Sequence, residues 1–260
     1  MPSNSDNKNK TAQSSSSNAE RGALVLLALG EAGIAGLALK DIAARTGNAK
    51  PALHRTLVAL GRHGFVERAQ GRGRYRLGPA IYALSRRQNS AREKVELWRP
   101  ALREISDRLG FTTFFTERAG LDSIVLDLQM GSEPVQMLVD GVGGRLPLGT
   151  GPGSAAILAR LDPPTRESIL ASNAQHYHRN GMDPASVRAM VTHAAATGFA
   201  LSSGEIFAAF GGIGVAICDR DGSTTSAITA STLLVNLTPE VVARSVALIQ
   251  DVIRKTQQTG

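Results

Sequence analysis

Residues 37–78 read LALKDIAARTGNAKPALHRTLVALGRHGFVERAQGRGRYRLG, and this run decides the fold of the N-terminal third. Leu39, Ile42 and Ala43 fall at helical spacing, and the Arg45-Thr46-Gly47-Asn48 step supplies a small residue where a helix stops. A second helix is expected to start at Lys50 and Pro51, since Pro is tolerated where helical N–H groups have no partner. On a wheel of about 100° per residue Leu53, Leu57 and Leu60 share one face, Arg55 and Arg62 point away from it, and His54 sits at the edge. Phe65 to Arg68 reads as a short strand, Gly71-Arg72-Gly73 as a hairpin tip, and Arg74 to Leu77 as the returning strand. This is the pattern of a winged helix-turn-helix, with its second helix in the major groove and its wing along the phosphate backbone of double-stranded operator DNA. The expected groove contacts are Lys50, His54, Arg55 and Arg62, and the expected wing contacts are Arg72, Arg74 and Arg76.

Outward from this unit, charge is unevenly spread. Residues 1–92 hold 15 Lys and Arg against 5 Asp and Glu, net +10, whereas residues 93–260 hold 14 against 17, net −3, within a total of +7. The basicity therefore belongs to the N-terminal third, where release of counterions from a duplex rewards it. A length of 260 residues fits two domains. One cysteine, Cys218, excludes an internal disulfide framework and any multi-cysteine metal site. No apolar run approaches the ~20 residues needed to span a bilayer, and residues 1–19, rich in Ser, Asn and Lys, lack the apolar centre of a secretory signal. They are expected to form a disordered tail, and the protein to be cytoplasmic with no membrane partner.

Past the wing, Pro79 to Gln88 and Ala91 to Leu109 read as helices. Trp98, Leu102, Ile105 and Leu109 make one apolar stripe, and Pro100 is expected to bend this helix or to start a new one. Residues 79–109 are thus expected to be a linker with a dimerising or packing role, between a DNA-binding domain at 20–78 and a domain at 110–260. In the latter, Thr112–Glu117, Ser123–Gln129, Val135–Val139, Ile213–Cys218 and Ser226–Leu234 are strand-like. Gly153–Leu161, Pro164–Ser172, Pro184–Thr197 and Pro239–Lys255 look helical, which gives an α+β sheet domain.

The order of these motifs resembles the isocitrate lyase regulator family of transcription factors from about Glu20 to Thr256. The resemblance is carried by Leu37 to Gly47, Lys50 with His54-Arg55, Gly64 to Arg68 and Arg74 to Gly78. In the second half it is carried by Gly144-Arg145-Leu146-Pro147-Leu148, Gly198-Phe199-Ala200-Leu201, Glu205 and Asp219-Arg220-Asp221-Gly222. It implies a winged helix, a linker helix and a GAF-like α+β domain that binds a small organic effector, in a homodimer or tetramer. The chain departs from the family where the usual Pro-Lys-Ser-Thr reads Ala49-Lys50-Pro51-Ala52, so the operator is not inherited from relatives. A family Cys falls on Gly212 and an acidic residue on Ser202, while Thr229 and Ser231 match polar pocket positions. The expected effector site is Leu146, Gly151, Pro152, Ser202, Phe207, Phe210, Gly212, Thr229 and Ser231. Because Ile206 to Ile213 carries no charge, the expected effector is an aromatic or otherwise hydrophobic carboxylate rather than a small oxoacid.

No cofactor, metal or catalytic residue is expected. The Gly144–Thr150 run lacks the Lys of a phosphate loop. His176 and His178, two apart, do not share a helix face, and Cys218 has no neighbouring base in sequence. A DNA-binding regulator with a ligand-free oligomerisation domain is the alternative, and an enzyme fused to a DNA-binding domain is a weaker one.

Overall fold

The computed structural model describes residues 5–71, 73–87, 90–132, 141–205, 208–219 and 222–259. Arg72, Phe207, the expected strand Val135–Val139 and two residues of the 219–222 turn lie outside them. The chain divides into two compact units, Met1–Asn89 and Ser90–Gly260.

In the first unit, α1 (Ser5–Glu31) is followed by a 3-10 turn (Gly33–Ala35), β1 (Leu37–Ala38), α2 (Leu39–Thr46), α3 (Lys50–Arg62), β2 (Val66–Arg68), β3 (Arg74–Leu77) and α4 (Pro79–Arg86). Sequence reading expects a tail through residue 19, but α1 starts at Ser5. Its apolar turns around Val25, Ala28 and Leu29 are buried, and adding a turn to an existing helix costs far less than nucleating one. Gly47 closes α2 in the left-handed conformation at φ 67°, its N–H donating to the Ala43 carbonyl, and Pro51 opens α3. Leu53 and Leu57 of α3 join Val25, Leu29, Ile42, Val66 and Tyr75 in one core, each leucine contributing about 2 kcal/mol by leaving water. The strands form a sheet ordered β1-β3-β2.

The second unit holds α5 (Ser90–Leu109), β4 (Thr112–Ala119), β5 (Asp122–Gln129), β6 (Arg145–Pro147), α6 (Pro152–Ala159), α7 (Pro163–Arg179), α8 (Pro184–Thr197), β7 (Ala200–Ser203), β8 (Phe210–Ile217), β9 (Ser226–Leu233), a second 3-10 turn (Leu234–Asn236) and α9 (Pro239–Thr259). The antiparallel sheet is ordered β6-β5-β4-β9-β8-β7. Alternate residues serve its two faces. Ile213, Val215, Ile228, Ala230 and Phe115 share a core with Trp98, Leu102 and Ile105 of α5 and Ile249 and Val252 of α9. On the opposite face Ala200 and Ala227 pack with α6, α7 and α8. The chain is thus α+β, with a helical layer on each face of the second sheet.

Of residues 79–109, expected to be a linker with a dimerising or packing role, α5 packs into the second unit. Trp98 stacks on Phe115 with ring centroids 6.3 Å apart, and Lys94–Glu117 (2.6 Å) and Arg99–Asp127 (2.8 Å) ion pairs fix it to β4 and β5. The helix runs unbroken through Pro100, because Pro100 and Glu96 lie on its exposed side and the carbonyl deprived of an N–H donor faces water. Among the described residues no helix is long and apolar enough to cross a membrane.

Candidate nucleic-acid interface and effector site

Helix α3 has a buried and an open side. Lys50, His54, Arg55 and Arg62 are all exposed, so the four expected groove contacts lie on one accessible helix. The wing is different. Arg74 donates from Nε to the Ala35 carbonyl (2.9 Å) and from Nη2 to the Gly36 carbonyl (2.6 Å), while Arg76 is paired with Glu67 at 2.6 Å. Both side chains, expected on phosphates, have partners within the unit: Arg76 pairs across the β2–β3 hairpin, and Arg74 ties β3 to the carbonyls before β1, which the β1–β3 pairing brings within its reach. A cation that sequence reading passed over, Arg68, is exposed and lies 4.3 Å above the Tyr75 ring. No pattern signals this stack, because it depends on the Arg68–Tyr75 register of β2 and β3.

The candidate effector site grows from strand pairing. Ser202 of β7 lies opposite Gly212 of β8, Gly212 opposite Ser231 of β9, and Ser231 opposite Thr112 of β4. Paired residues share a face, so these four form one row across four strands, on the face that carries α6. Phe210 and Leu233, paired one step further along, point the same way. A Cβ built on Gly212 would lie 2.8 Å from Ser231 Oγ and 3.3 Å from Pro152 Cγ, so Gly212, Ser231 and the first turn of α6 converge. The Ser202 hydroxyl donates to Glu205 (3.0 Å), as does the Ser203 N–H (2.6 Å). Thr112 Oγ1 accepts from the Gly131 N–H at 3.0 Å and keeps its own proton to donate.

Close packing closes the rest of that face. A Cβ on Gly153 would fall 2.2 Å from Thr229 Oγ1, and one on Gly214 would fall 2.2 Å from the Pro152 carbonyl carbon. Helix α6 therefore lies directly on β8 and β9, and Thr229, expected at an effector, is buried beneath Gly153. The row of Ser202, Gly212, Ser231 and Thr112 lies beside Pro152, with Ser231 half-buried and the other three buried. Gly151 caps α6 at φ 82°, a conformation that suits glycine. Leu146 is not brought to this place: it pairs with Ser123 on β6, at the opposite edge of the sheet from Ser202. Thr112, absent from the expected site, is set beside Ser231 by the pairing of β4 with β9 and is fully buried.

Two loops, the β4–β5 turn and the stretch before α6, are fastened from α7. Asn173 Nδ2 donates to the Leu121 carbonyl at 2.7 Å, and the fully buried Tyr177 hydroxyl donates to the Leu148 carbonyl. Burial pushes the Tyr177 hydroxyl up to about 12, so it stays a donor. His176 and His178 flank it as exposed side chains.

Two family models match the chain: the IclR helix-turn-helix domain over residues 18–70, and the bacterial transcriptional regulator IclR C-terminal domain over residues 90–258. No curated protein sequence matches. Among solved structures, the fold is similar to an IclR family transcriptional regulator from Brucella abortus (TM-score 0.75, 20% identity, covering 94% of this chain and 92% of that one). It is also similar to an IclR transcriptional regulator from Alicyclobacillus acidocaldarius (0.72, 21% identity, 93% and 97%). A third is an IclR homolog from Microbacterium hydrocarbonoxydans complexed with 4-hydroxybenzoate (0.67, 22% identity, 92% and 99%).

Proposed function

We propose, because this chain belongs to the IclR family of bacterial transcriptional regulators, that its C-terminal unit takes up an aromatic or otherwise hydrophobic carboxylate and that this ligand changes operator binding by the N-terminal helix-turn-helix. The observation that carries the reading is the row Ser202, Gly212, Ser231 and Thr112 beside Pro152, with Phe210 and Leu233 on the same face. A mostly apolar surface with a few placed hydroxyls suits a ligand that is largely hydrocarbon with polar ends. A solved relative holds 4-hydroxybenzoate, which has that character.

The hydrogen bonds give the ligand a direction. Ser202 spends its proton on Glu205, so that end of the row offers only acceptors and a negative charge, and it suits a ligand hydroxyl. Ser231, the half-buried hydroxyl of the row, has a proton to give, with Thr112 buried beside it. The carboxylate belongs at their end, away from Glu205, where like charge would repel it. Because one winged helix reads few base pairs, the regulator works as a homodimer or tetramer on paired half-sites.

Calorimetric titration of the full chain with 4-hydroxybenzoate, benzoate, pyruvate and glyoxylate tests the ligand class. Binding of the aromatic acids, weakened in Ser231→Ala, is expected. Tight binding of pyruvate or glyoxylate alone contradicts the reading.

A further inference from the structure

The exposed face of α3 has an apolar centre. At about 100° per residue, Pro51, His54, Arg55, Val58 and Arg62 fall within a third of the helix circumference. All are exposed, and Val58 keeps 44% of its surface in water, on the side away from the buried Leu53 and Leu57. Val58 is one turn from His54 on one side and one turn from Arg62 on the other. A β-branched residue weakens a helix slightly by its stiff χ1, and here it joins no core cluster in return.

A single apolar residue on a surface is ordinary, but this one has His54, Arg55 and Arg62 as its neighbours on that face, with Lys50 two turns away at the start of the helix. A partner for that face must be polyanionic and must still offer an apolar group at its middle. In the major groove of DNA the apolar group among the base edges is the 5-methyl of thymine. We propose that Val58 packs on a thymine methyl in each half-site and is a specificity-determining residue of this helix, with the surrounding cations on phosphates and base edges. The inference rests on major-groove binding by α3. It also gives the missing hydroxyls at Pro51 and Ala52 a counterpart, since part of the sequence reading then comes from apolar contact rather than from hydrogen bonds.

The test begins with selection of bound duplexes from a randomised pool by the full chain. Each thymine of the enriched site is then replaced in turn by deoxyuridine, which lacks only the methyl group, and binding is compared for wild type and Val58→Ala. Alanine raises helix propensity at an exposed position, so the variant keeps its fold. The expected result is a thymine in each half-site whose replacement weakens wild-type binding about fourfold, the worth of one buried methyl, with no further loss in Val58→Ala. Wild-type indifference to deoxyuridine at every thymine overturns the assignment, and so does a variant as sensitive as wild type. Failure to enrich any sequence contradicts groove reading itself, and the Val58 assignment falls with it.

Discussion

The guanidinium of Arg74 donates to the carbonyls of Ala35 and Gly36, whereas Arg55 stands exposed on α3. Replacement by Ala is therefore expected to separate two effects. Arg74→Ala removes the donor from two carbonyls and lowers stability by about 1 kcal/mol, with the salt dependence of DNA binding unchanged. Arg55→Ala leaves stability within about 0.5 kcal/mol and weakens operator binding by about 1–3 kcal/mol. Denaturant unfolding beside a salt series of binding curves measures both, and a reduced salt slope in Arg74→Ala would return that residue to the DNA backbone. At this scale the sequence was informative about residue type and less so about partner. An arginine in a Gly-rich hairpin suits phosphate, but whether its fork is already filled depends on carbonyls far away in the chain. The same holds for Thr112, whose place beside Ser231 exists only through the pairing of β4 with β9.

At the scale of elements, α6 is set by two glycines on opposite sides of one contact. Gly214 leaves space for the backbone of Pro152, and Gly153 leaves space for the Thr229 hydroxyl. Gly214→Ala pushes a methyl into backbone that has no rotamer with which to yield, so the second unit is expected to lose about 1–3 kcal/mol by overpacking. Gly143→Ala meets no neighbour within 4 Å but sits at φ 89°, so it reports the backbone cost alone. Thermal unfolding of both variants checks this, and a Gly214→Ala protein as stable as wild type would mean that α6 can lift from the sheet. The elements with chemical end signals were legible beforehand. Helix α2 ends on Gly47, α3 opens on Pro51, and α8 lies between the Asp183 cap with Pro184 and the left-handed Gly198. Short strands were not legible, since β6 (Arg145–Pro147) and β7 (Ala200–Ser203) carry too few alternating residues to show a period. Helix α7 outran its expected end at Ser172 because Asn173 and Tyr177 bury polar side chains that bond to loop carbonyls, and hydropathy alone reads such residues as the end of a helix.

For the whole molecule, β4 is the element through which a ligand would be felt. Thr112 and Phe114 face the candidate effector row, while the residues between and after them hold α5: Thr113 Oγ1 donates to the Leu102 carbonyl at 3.0 Å, Phe115 stacks on Trp98, and Glu117 pairs with Lys94. Helix α5 begins at Ser90, where the N-terminal unit ends in sequence. A ligand shifts operator affinity only by its differential affinity for the DNA-bound and free states, typically about 5- to 150-fold. The most direct test is the affinity of the full chain for its selected operator at fixed salt, with and without saturating 4-hydroxybenzoate and related aromatic acids, beside pyruvate and glyoxylate. An aromatic acid is expected to change operator Kd by at least about fivefold and the small oxoacids are not, and Ser231→Ala, which removes one hydroxyl without adding bulk, is expected to reduce the change while retaining operator binding. Operator affinity that no aromatic acid alters, or that responds to the small oxoacids alone, would contradict this reading.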